Sequence, residues 1–367
     1  MKTIHYELTH FTIAYDLSRL CDIQSAFFLD IETTGFSPKN ASIYLIGGCY
    51  HKNGRWNLIQ WFADTLEEEK EVLLNFFSFL KPYKTLLHFN GNSFDLPFIL
   101  GRCEKYGIVQ NFDHFQGIDI YKRISLCRHF LALPSCKQKS IEGFLKLSRE
   151  DLYSGGELIS VYKDYLLSKD STKEQLLLLH NRDDLKGMLE ILPILSYADL
   201  FNLPVKTTKV QSNYYLDLNQ KKQQELILRI KLPSPVPIPV SYHANDCYVT
   251  IENDQGAIRV PVYQEELKYF YDNYKEYYYL PAEDMAMHKS VASFVDKEHR
   301  RAATASTCYT RKYSSYLPQW DYLFTPFFKR EYKSPLLFFE LTEEFKTNRT
   351  DFSRYASHLL QMLGKAH

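Results

Sequence analysis

The sequence has no paired Cys-x-x-Cys spacing, no long apolar run and no net charge, and each absence removes a class of protein. Its seven cysteines, at positions 21, 49, 103, 127, 136, 247 and 308, are odd in number. They read as free thiols of a reducing cytoplasm, not as a disulfide framework. The combinations His243/Cys247 and His299/Cys308 match no structural zinc spacing. No stretch approaches the ~18 apolar residues of a membrane span, and Met1–Glu7 lacks the apolar core of a signal peptide. A soluble cytoplasmic protein with no membrane partner is expected. Lys and Arg number 44 and so do Asp and Glu, so global charge says nothing for or against a polyanionic partner. Residues 1–204 carry 22 basic against 25 acidic side chains and residues 205–367 carry 22 against 19, a swing too small to decide anything. There is no internal repeat and no Gly-rich nucleotide loop. What is present is 45% hydrophobic and 24% charged residues over 367 positions, with 28 Tyr and 25 Phe, enough for two or three packed domains.

The most informative stretch is Phe27-Phe28-Leu29-Asp30-Ile31-Glu32-Thr33-Thr34-Gly35, an apolar run ending in a glycine turn signal. As a strand it puts Asp30 and Glu32 on one face and Leu29 and Ile31 on the other. Two carboxylates side by side at the end of a buried strand are costly unless a cation lies between them. The alternative is two solvated acids on an edge strand.

Ser42–Tyr50 is a second strand, Asn53-Gly54 a hairpin turn and Trp56–Phe62 a third strand. The periodicity then predicts a helix from Thr65 to Leu80, a strand at Leu86–Asn90, a helix at Phe94–Tyr106 and a strand at Gly117–Ile120. Helical patterns follow through Leu133, Ile141–Leu147, Glu157–Leu166 and Thr172–Leu195. Three antiparallel strands, then alternating helix and strand, then helices, make an α/β mixed sheet flanked by helices, the order of a ribonuclease H-like core. Residues 1–24 read as a lead-in, 25–203 as this domain, and 204–367 as a smaller α+β C-terminal domain.

Asp95 follows a strand and a Gly/Asn turn, which aims it at the crevice where α/β folds bind ligands, or makes it part of a helix N-terminus. In Leu176–Met188, His180 and Asp184 are four apart and share one face of a largely buried helix. Asp183 points about 100° away and reads as solvated or ion-paired. Asp119 is either a supporting fifth acid or, more simply, the cap of the helix that follows it.

In this order, LDIETTGF, HFNGNSFDLPFI and LLHNRDDLKGM resemble the three exonuclease motifs of the DEDD (DnaQ-like) 3′–5′ exonuclease superfamily. The middle motif is especially similar to that of the proofreading domain of family B DNA polymerases. Roughly residues 25–196 most resemble the YprB-type ribonuclease H-like domain, a family of predicted exonucleases. The resemblance implies Asp30, Glu32, Asp95 and Asp184 as ligands of two Mg²⁺ or Mn²⁺ ions. Asp30 would bridge the ions, with Glu32 and Asp184 on the nucleophile side and Asp95 on the other ion. His180 becomes the candidate general base. It stands four residues before Asp184, where the superfamily has Tyr at that offset or His at five, so it is equally a residue that orients Asp184. Thr33, Asn90, Asn92 and Phe94 are candidate contacts to a strand end, Asn90 being as readily a turn residue. The implied partner is DNA or RNA, entering as a single-stranded 3′ end.

Beyond residue 204 the texture changes. Lys231–Val240 holds four prolines and reads as an extended connector. Cys247–Glu252 and Ala257–Tyr263 form a hairpin, and Glu265–Tyr279 reads as a Tyr-rich helix. Basic residues interleave with Tyr near 297–301, 311–313 and 329–333. They suit phosphate contact and base stacking, or else an aromatic core beneath a solvated charged face. The leading expectation is a metal-dependent 3′–5′ exonuclease. Its alternatives are a structure-specific endonuclease using the same chemistry, and a nucleic-acid-binding or scaffold protein with a vestigial site.

Overall fold

In the computed structural model, which describes every residue except His10, Leu152, Ser154, Leu218, Ala366 and His367, the chain divides into units 1–198 and 199–367. The first unit runs β1 (Lys2–Leu8), β2 (Ala26–Thr33), β3 (Ile43–Lys52), β4 (Arg55–Phe62), α1 (Glu69–Leu80), β5 (Thr85–His88), α2 (Asp95–Lys105), β6 (Gln116–Asp119), α3 (Ile120–Ser125), α4 (Gln138–Phe144), α5 (Gly155–Ser168) and α6 (Ser171–Glu190). Its sheet has the order β1-β4-β3-β2-β5-β6. β3 runs antiparallel to its neighbours β2 and β4, and β5 and β6 run parallel to β2. This is the ribonuclease H-like mixed sheet that the element order predicts. Residues 2–8, read as part of a lead-in, add an edge strand, pairing with β4 from Lys2↔Phe62 to Leu8↔Trp56.

Both faces of the sheet are covered, which is why β2 is buried along nearly its whole length. Phe27, Leu29 and Ile31 pack with Val72, Leu73 and Phe76 of α1 and Phe98 and Ile99 of α2. On the other side Tyr44 and Phe62 meet Tyr162 and Tyr165 of α5 and Leu177 and Leu178 of α6. Alternation therefore sends Asp30 and Glu32 to the side that α6 covers. The β3–β4 turn is made by Asn53 and Gly54, with φ of 54° and 75°, the two positive values a tight two-residue hairpin needs. α6 stops at Glu190, five residues short of the predicted end. Pro193 lies within the single 3-10 turn that follows, because it has no amide to continue the α-helix.

A helix α7 (Leu195–Asn202) leads into the second unit, which holds β7 (Lys206–Leu216), β8 (Lys222–Lys231), β9 (Val240–Ala244), β10 (Cys247–Glu252), β11 (Gln255–Phe270), β12 (Tyr277–Leu280), β13 (Met285–His288), α8 (Lys289–Ala292), β14 (Arg301–Ala302), β15 (Tyr309–Gln319), β16 (Phe327–Phe328), β17 (Leu337–Glu340), α9 (Glu343–Thr347) and α10 (Arg349–Lys365). The expected hairpin is β10–β11, turning at Asn253 and Asp254. The helix expected at 265–279 is not formed. β11 continues to Phe270, pairing with β15 from Tyr263↔Tyr316 to Phe270↔Tyr309, and Tyr277–Leu280 is another strand. Tyr and Phe gain more from cross-strand packing than a helix stripe offers, and that tertiary pairing overrides the local spacing.

The first unit is fastened by one buried ion pair. Glu69 opens α1 and accepts from Arg102 Nε of α2 at 2.7 Å and Nη2 at 2.5 Å, from Ile43 N of β3 at 2.7 Å and from Tyr106 Oη at 2.8 Å. Glu69 and Arg102 side chains are 0% and 1% exposed, so removing either partner strands a charge in the core. Glu69→Ala should cost about 3–5 kcal/mol in urea unfolding. The double change Glu69→Met/Arg102→Met should cost clearly less than the two singles together. Additive costs would show that the pair is not coupled.

Candidate active site

Three elements bring the sequence-predicted acids to one region. β2 carries Asp30, half-buried, and Glu32, buried, up to an irregularity in its pairing between Glu32 and Thr33. The turn after β5 delivers Asp95 at the first position of α2, and its Oδ1 accepts from Ile31 N at 3.2 Å. That amide lies between Asp30 and Glu32 in the chain, so the bond ties Asp95 to the acidic pair. α6 brings His180, Asn181 and Asp184. Asn181, fully buried, donates Nδ2 to Asp30 Oδ2 at 2.7 Å, and its Oδ1 accepts from Gln60 Nε2 at 2.8 Å. Gln60 also donates to Leu178 O at 3.0 Å, locking β4 to α6. A Cβ at Gly47 of β3 would overlap Asn181 Oδ1 and Leu185, so this approach of helix to sheet requires glycine there.

The electrostatics are those of acids short of counter-charge. Burial pushes Asp30 well above the carboxylate range, and Glu32, Asp184 and Asp95 add to it against the hydrogen bond from Asn181. Glu32 is raised in the same way by burial, then by Asp184, Asp95 and Asp151, with Arg149 opposing. Burial pushes Asp95 up to about 7, although its own amide and that of Ile31 favour the charged form. Among the described residues Arg149 is the one Lys or Arg in ion-pair contact with any of the four acids, its Nη2 lying 2.6 Å from Asp184 Oδ1. Hard carboxylate oxygens gathered without enough positive charge are the donor set a divalent cation takes, so the residues fit such an ion. Ligand atoms of Glu32, His180 and Asp184 lie within 4.8 Å of one another.

Around His180 stand residues that the sequence reading did not single out. Its Nδ1 is 2.7 Å from Asp151 Oδ2, while Nε2 faces Asp184 Oδ2 at 3.3 Å and Glu32 Oε1 at 3.7 Å. Burial would raise Asp151, but the Tyr153 amide and His180 outweigh it and hold the carboxyl below its usual range. Asp183, expected to be solvated or ion-paired, instead accepts from the amides of Glu150 and Asp151 at 3.0 and 2.9 Å. It thereby fixes the loop that presents Asp151. Arg149 also binds Glu142 at 3.0 Å, and Gln138 bonds both Glu142 Oε1 and the Asp184 carbonyl at 2.9 Å. The Asp151–His180 contact has no short-range sequence signal, because the two residues are 29 apart in a loop and a helix.

Of the candidate substrate contacts, Asn92 is exposed and its side chain hydrogen-bonds to His88. Thr33 Oγ1 is engaged with Gly35 O at 2.7 Å. Asn90 has φ 63° and gives its amide to Asp119 Oδ1 at 3.0 Å, which is a turn role. Phe94 leans on Phe98, with ring centroids 5.4 Å apart, and packs against the core. Asp119 caps α3 by accepting from Lys122 N, the simpler of its two expected roles.

The basic, Tyr-rich stretches of the second unit are partly neutralised from within. Arg311 pairs with Glu266 at 3.1 Å, Lys312 with Glu340 at 2.6 Å and Arg330 with Glu265 at 2.8 Å. Arg300 lies over the Tyr278 ring at 4.8 Å.

A ribonuclease H-like sheet with carboxylates from β2, α2 and α6 gathered towards the C-terminal end of its central strand β2 is the class of domain that these elements define. Residues 27–196 match the family model of the RNase H superfamily. Over 50 residues the chain is 44% identical to a DNA polymerase of Ostreid herpesvirus 1 (isolate France), a match covering 13% of this chain and 3% of that protein. Among solved structures, the family B DNA polymerase of Pyrobaculum calidifontis is 16% identical, with a TM-score of 0.39, over 48% of this chain and 25% of that one. The zinc-bound complex of E. coli ExoI with single-stranded DNA is 12% identical, with a TM-score of 0.28, over 57% and 55%. The chain thus spans between a small fraction and about half of the proteins it matches.

Two outcomes test this geometry. Asn181→Ala should cost about 2 kcal/mol in urea unfolding, since it leaves Gln60 and Asp30 without their buried partner. An unchanged midpoint would mean the network carries no stability. The second concerns pH. Between the ordinary Asp range and about 7, the unfolded chain has released the Asp95 proton while the folded chain keeps it. Metal-free protein should therefore lose stability as pH rises through that window, and Asp95→Asn should flatten the fall. Parallel curves for the two proteins would contradict the assignment.

Proposed function

We propose that the chain is a metal-dependent nuclease that removes nucleotides from the 3′ end of single-stranded DNA or RNA. The observation carrying this reading is that burial and neighbouring carboxylates raise the proton affinity of Asp30, Glu32 and Asp95 towards the end of β2, where among the described residues Arg149, on Asp184, is the one Lys or Arg in ion-pair contact with the four acids. Together the four acids would hold two Mg²⁺ or Mn²⁺ ions. When bound, such ions supply the Lewis acidity and charge neutralisation that a phosphodiester displacement requires. The chain's own part is positioning. Asn181 holds Asp30 in one orientation, the Ile31 amide holds Asp95, and Arg149 holds Asp184, so three of the four acids are fixed before any ligand arrives. Asn92, three residues before Asp95 in the chain, is the exposed one of the candidate side chains and the one open to a strand end. The buried thiols of Cys49, Cys103, Cys247 and Cys308 suit a reducing compartment such as the cytoplasm. Among the described residues no helix is long and apolar enough to cross a membrane.

The test is a panel of single- and double-stranded DNA and RNA, labelled at either end, with Mg²⁺ or Mn²⁺ and with a chelator. A ladder shortening from the 3′ end, abolished by the chelator, is expected. Asp30→Asn and Asp184→Asn should each lower the rate at least about 100-fold, equivalent to about 3 kcal/mol of lost transition-state stabilisation. Unchanged rates in both variants would overturn the site. Metal binding without cleavage of any substrate would favour a binding protein, and internal cuts an endonuclease.

A further inference from the structure

We infer that His180 is a metal ligand, not the general base, and that with Glu32 and Asp184 it makes a mixed nitrogen–oxygen site selective for Mn²⁺, Co²⁺ or Zn²⁺ over Mg²⁺. The inference rests on the metal-dependent reading above and adds which class of ion the site takes.

The argument begins at the far side of the ring. Asp151 is an acceptor with a fully buried side chain, fixed by the Tyr153 amide at 3.0 Å on Oδ1 and by His180 Nδ1 at 2.7 Å on Oδ2. A carboxylate at that distance requires the ring proton on Nδ1, which leaves the lone pair of a neutral imidazole on Nε2. Among the described residues that lone pair faces acceptors, Asp184 Oδ2 and Glu32 Oε1. Three acceptors converging on one point are unfavourable unless a cation lies among them.

The distances decide against a simple ion pair. An imidazolium N–H on a carboxylate closes to about 2.7–2.9 Å, as the Nδ1 side does. The Nε2 separations of 3.3 and 3.7 Å are longer than that. Two ligands each about 2.1 Å from a common ion stand about 3.0–3.4 Å apart in octahedral or tetrahedral arrangements. The His180–Asp184 spacing falls in that range, and the spacing to Glu32 lies just above it. Asp184 Oδ1 is committed to Arg149, so Oδ2 is the atom left to ligate, and it is the atom facing His180. The α-helical i, i+4 spacing keeps the two ligands on one face.

A ligated imidazole has no lone pair for a proton, so His180 cannot serve as the base while it holds the ion. Imidazole is also what separates the candidate metals, because Mg²⁺ accepts hard oxygen ligands and Mn²⁺, Co²⁺ and Zn²⁺ accept nitrogen as well. Asp151 is then the positioning residue that fixes the ring's tautomer and direction.

The experiment uses the full chain, freed of metal, with ¹⁵N-labelled histidine. Pulsed EPR of the Mn²⁺-loaded protein should show ¹⁵N hyperfine coupling, lost in His180→Gln. By titration calorimetry His180→Gln should bind Mn²⁺ at least about tenfold more weakly, with Mg²⁺ affinity unchanged. Asp151→Asn should weaken Mn²⁺ about 10–100-fold while keeping the ¹⁵N coupling. Bound Mn²⁺ without ¹⁵N coupling in the wild-type protein overturns the inference on its own, whether or not the variants fold, and leaves the nuclease reading standing. Failure of the wild-type protein to bind any divalent ion overturns both.

Discussion

The closeness of α6 to the sheet is the constraint on which the candidate site depends. Gly47 on β3 has no Cβ, so Asn181 can sit against the strand and reach Asp30 with one end of its amide and Gln60 with the other. Without that contact α6 would ride higher, and Asp184 and His180, carried on the same helix, would leave the acids of β2. The amide also separates two kinds of cost. Asn181 gives Asp30 one hydrogen bond but no charge, so it orients the carboxylate without relieving the repulsion from Glu32, Asp95 and Asp184. Orientation of Asp30 comes from within the fold, whereas among the described residues no Lys or Arg stands in ion-pair contact with the acids of β2.

Arg149 shows how the fold supplies part of that neutralisation. One guanidinium answers Asp184 and Glu142 and lies 3.5 Å from Asp151. Glu142 reaches it because Gly187 of α6 is bare, a Cβ there overlapping Glu142 Oε1. The acids that Arg149 serves lie on the α4 and α6 side of the cluster, and none is on β2. Glu32 feels it only as an opposing field, and for Asp30 and Asp95 it is not among the main influences. Charge is thus balanced at one flank of the site and unbalanced at the strand, which is the side facing the end of the sheet.

How much of this was legible from sequence follows from the range of each signal. The period of a strand placed Asp30 and Glu32 together, a glycine turn before a helix placed Asp95, and the period of a helix placed His180 over Asp184. All are local regularities, and the topology needed only the order and length of such segments. Asp151 and Arg149 sit in an irregular loop with no period to read. Their roles exist because Asp183, one residue off the helix face that carries His180 and Asp184, captures that loop's amides. Asp183 reads as solvated or ion-paired because helix geometry alone says which way it points, not which loop will arrive there. The misread helix at 265–279 has the same origin. Its aromatic spacing fits a helix locally, and only the partner strand β15, some forty residues later, decides otherwise.

The second unit makes the converse point about composition. Basic residues interleaved with Tyr look like a nucleic-acid surface, because phosphate contact and base stacking require those types. Folding requires them too. Tyr316 and Tyr355 are fully buried, and the hydroxyls of Tyr279 and Tyr309 both donate to Asp284 Oδ1, at 2.6 and 2.5 Å, so these rings build a core and satisfy their polar ends. Arg330 covers both Tyr263 and Phe338 at 5.1 Å while pairing with Glu265. Binding of a polyanion draws on counterions released from unpaired cations. A lysine or arginine already answered by a neighbouring carboxylate releases little and must first give up its partner. The cross-strand pairs Lys312–Glu340 and Arg311–Glu266 therefore explain the composition of β11, β15 and β17 as sheet chemistry, and no nucleic-acid contact has to be assigned to those strands to account for it.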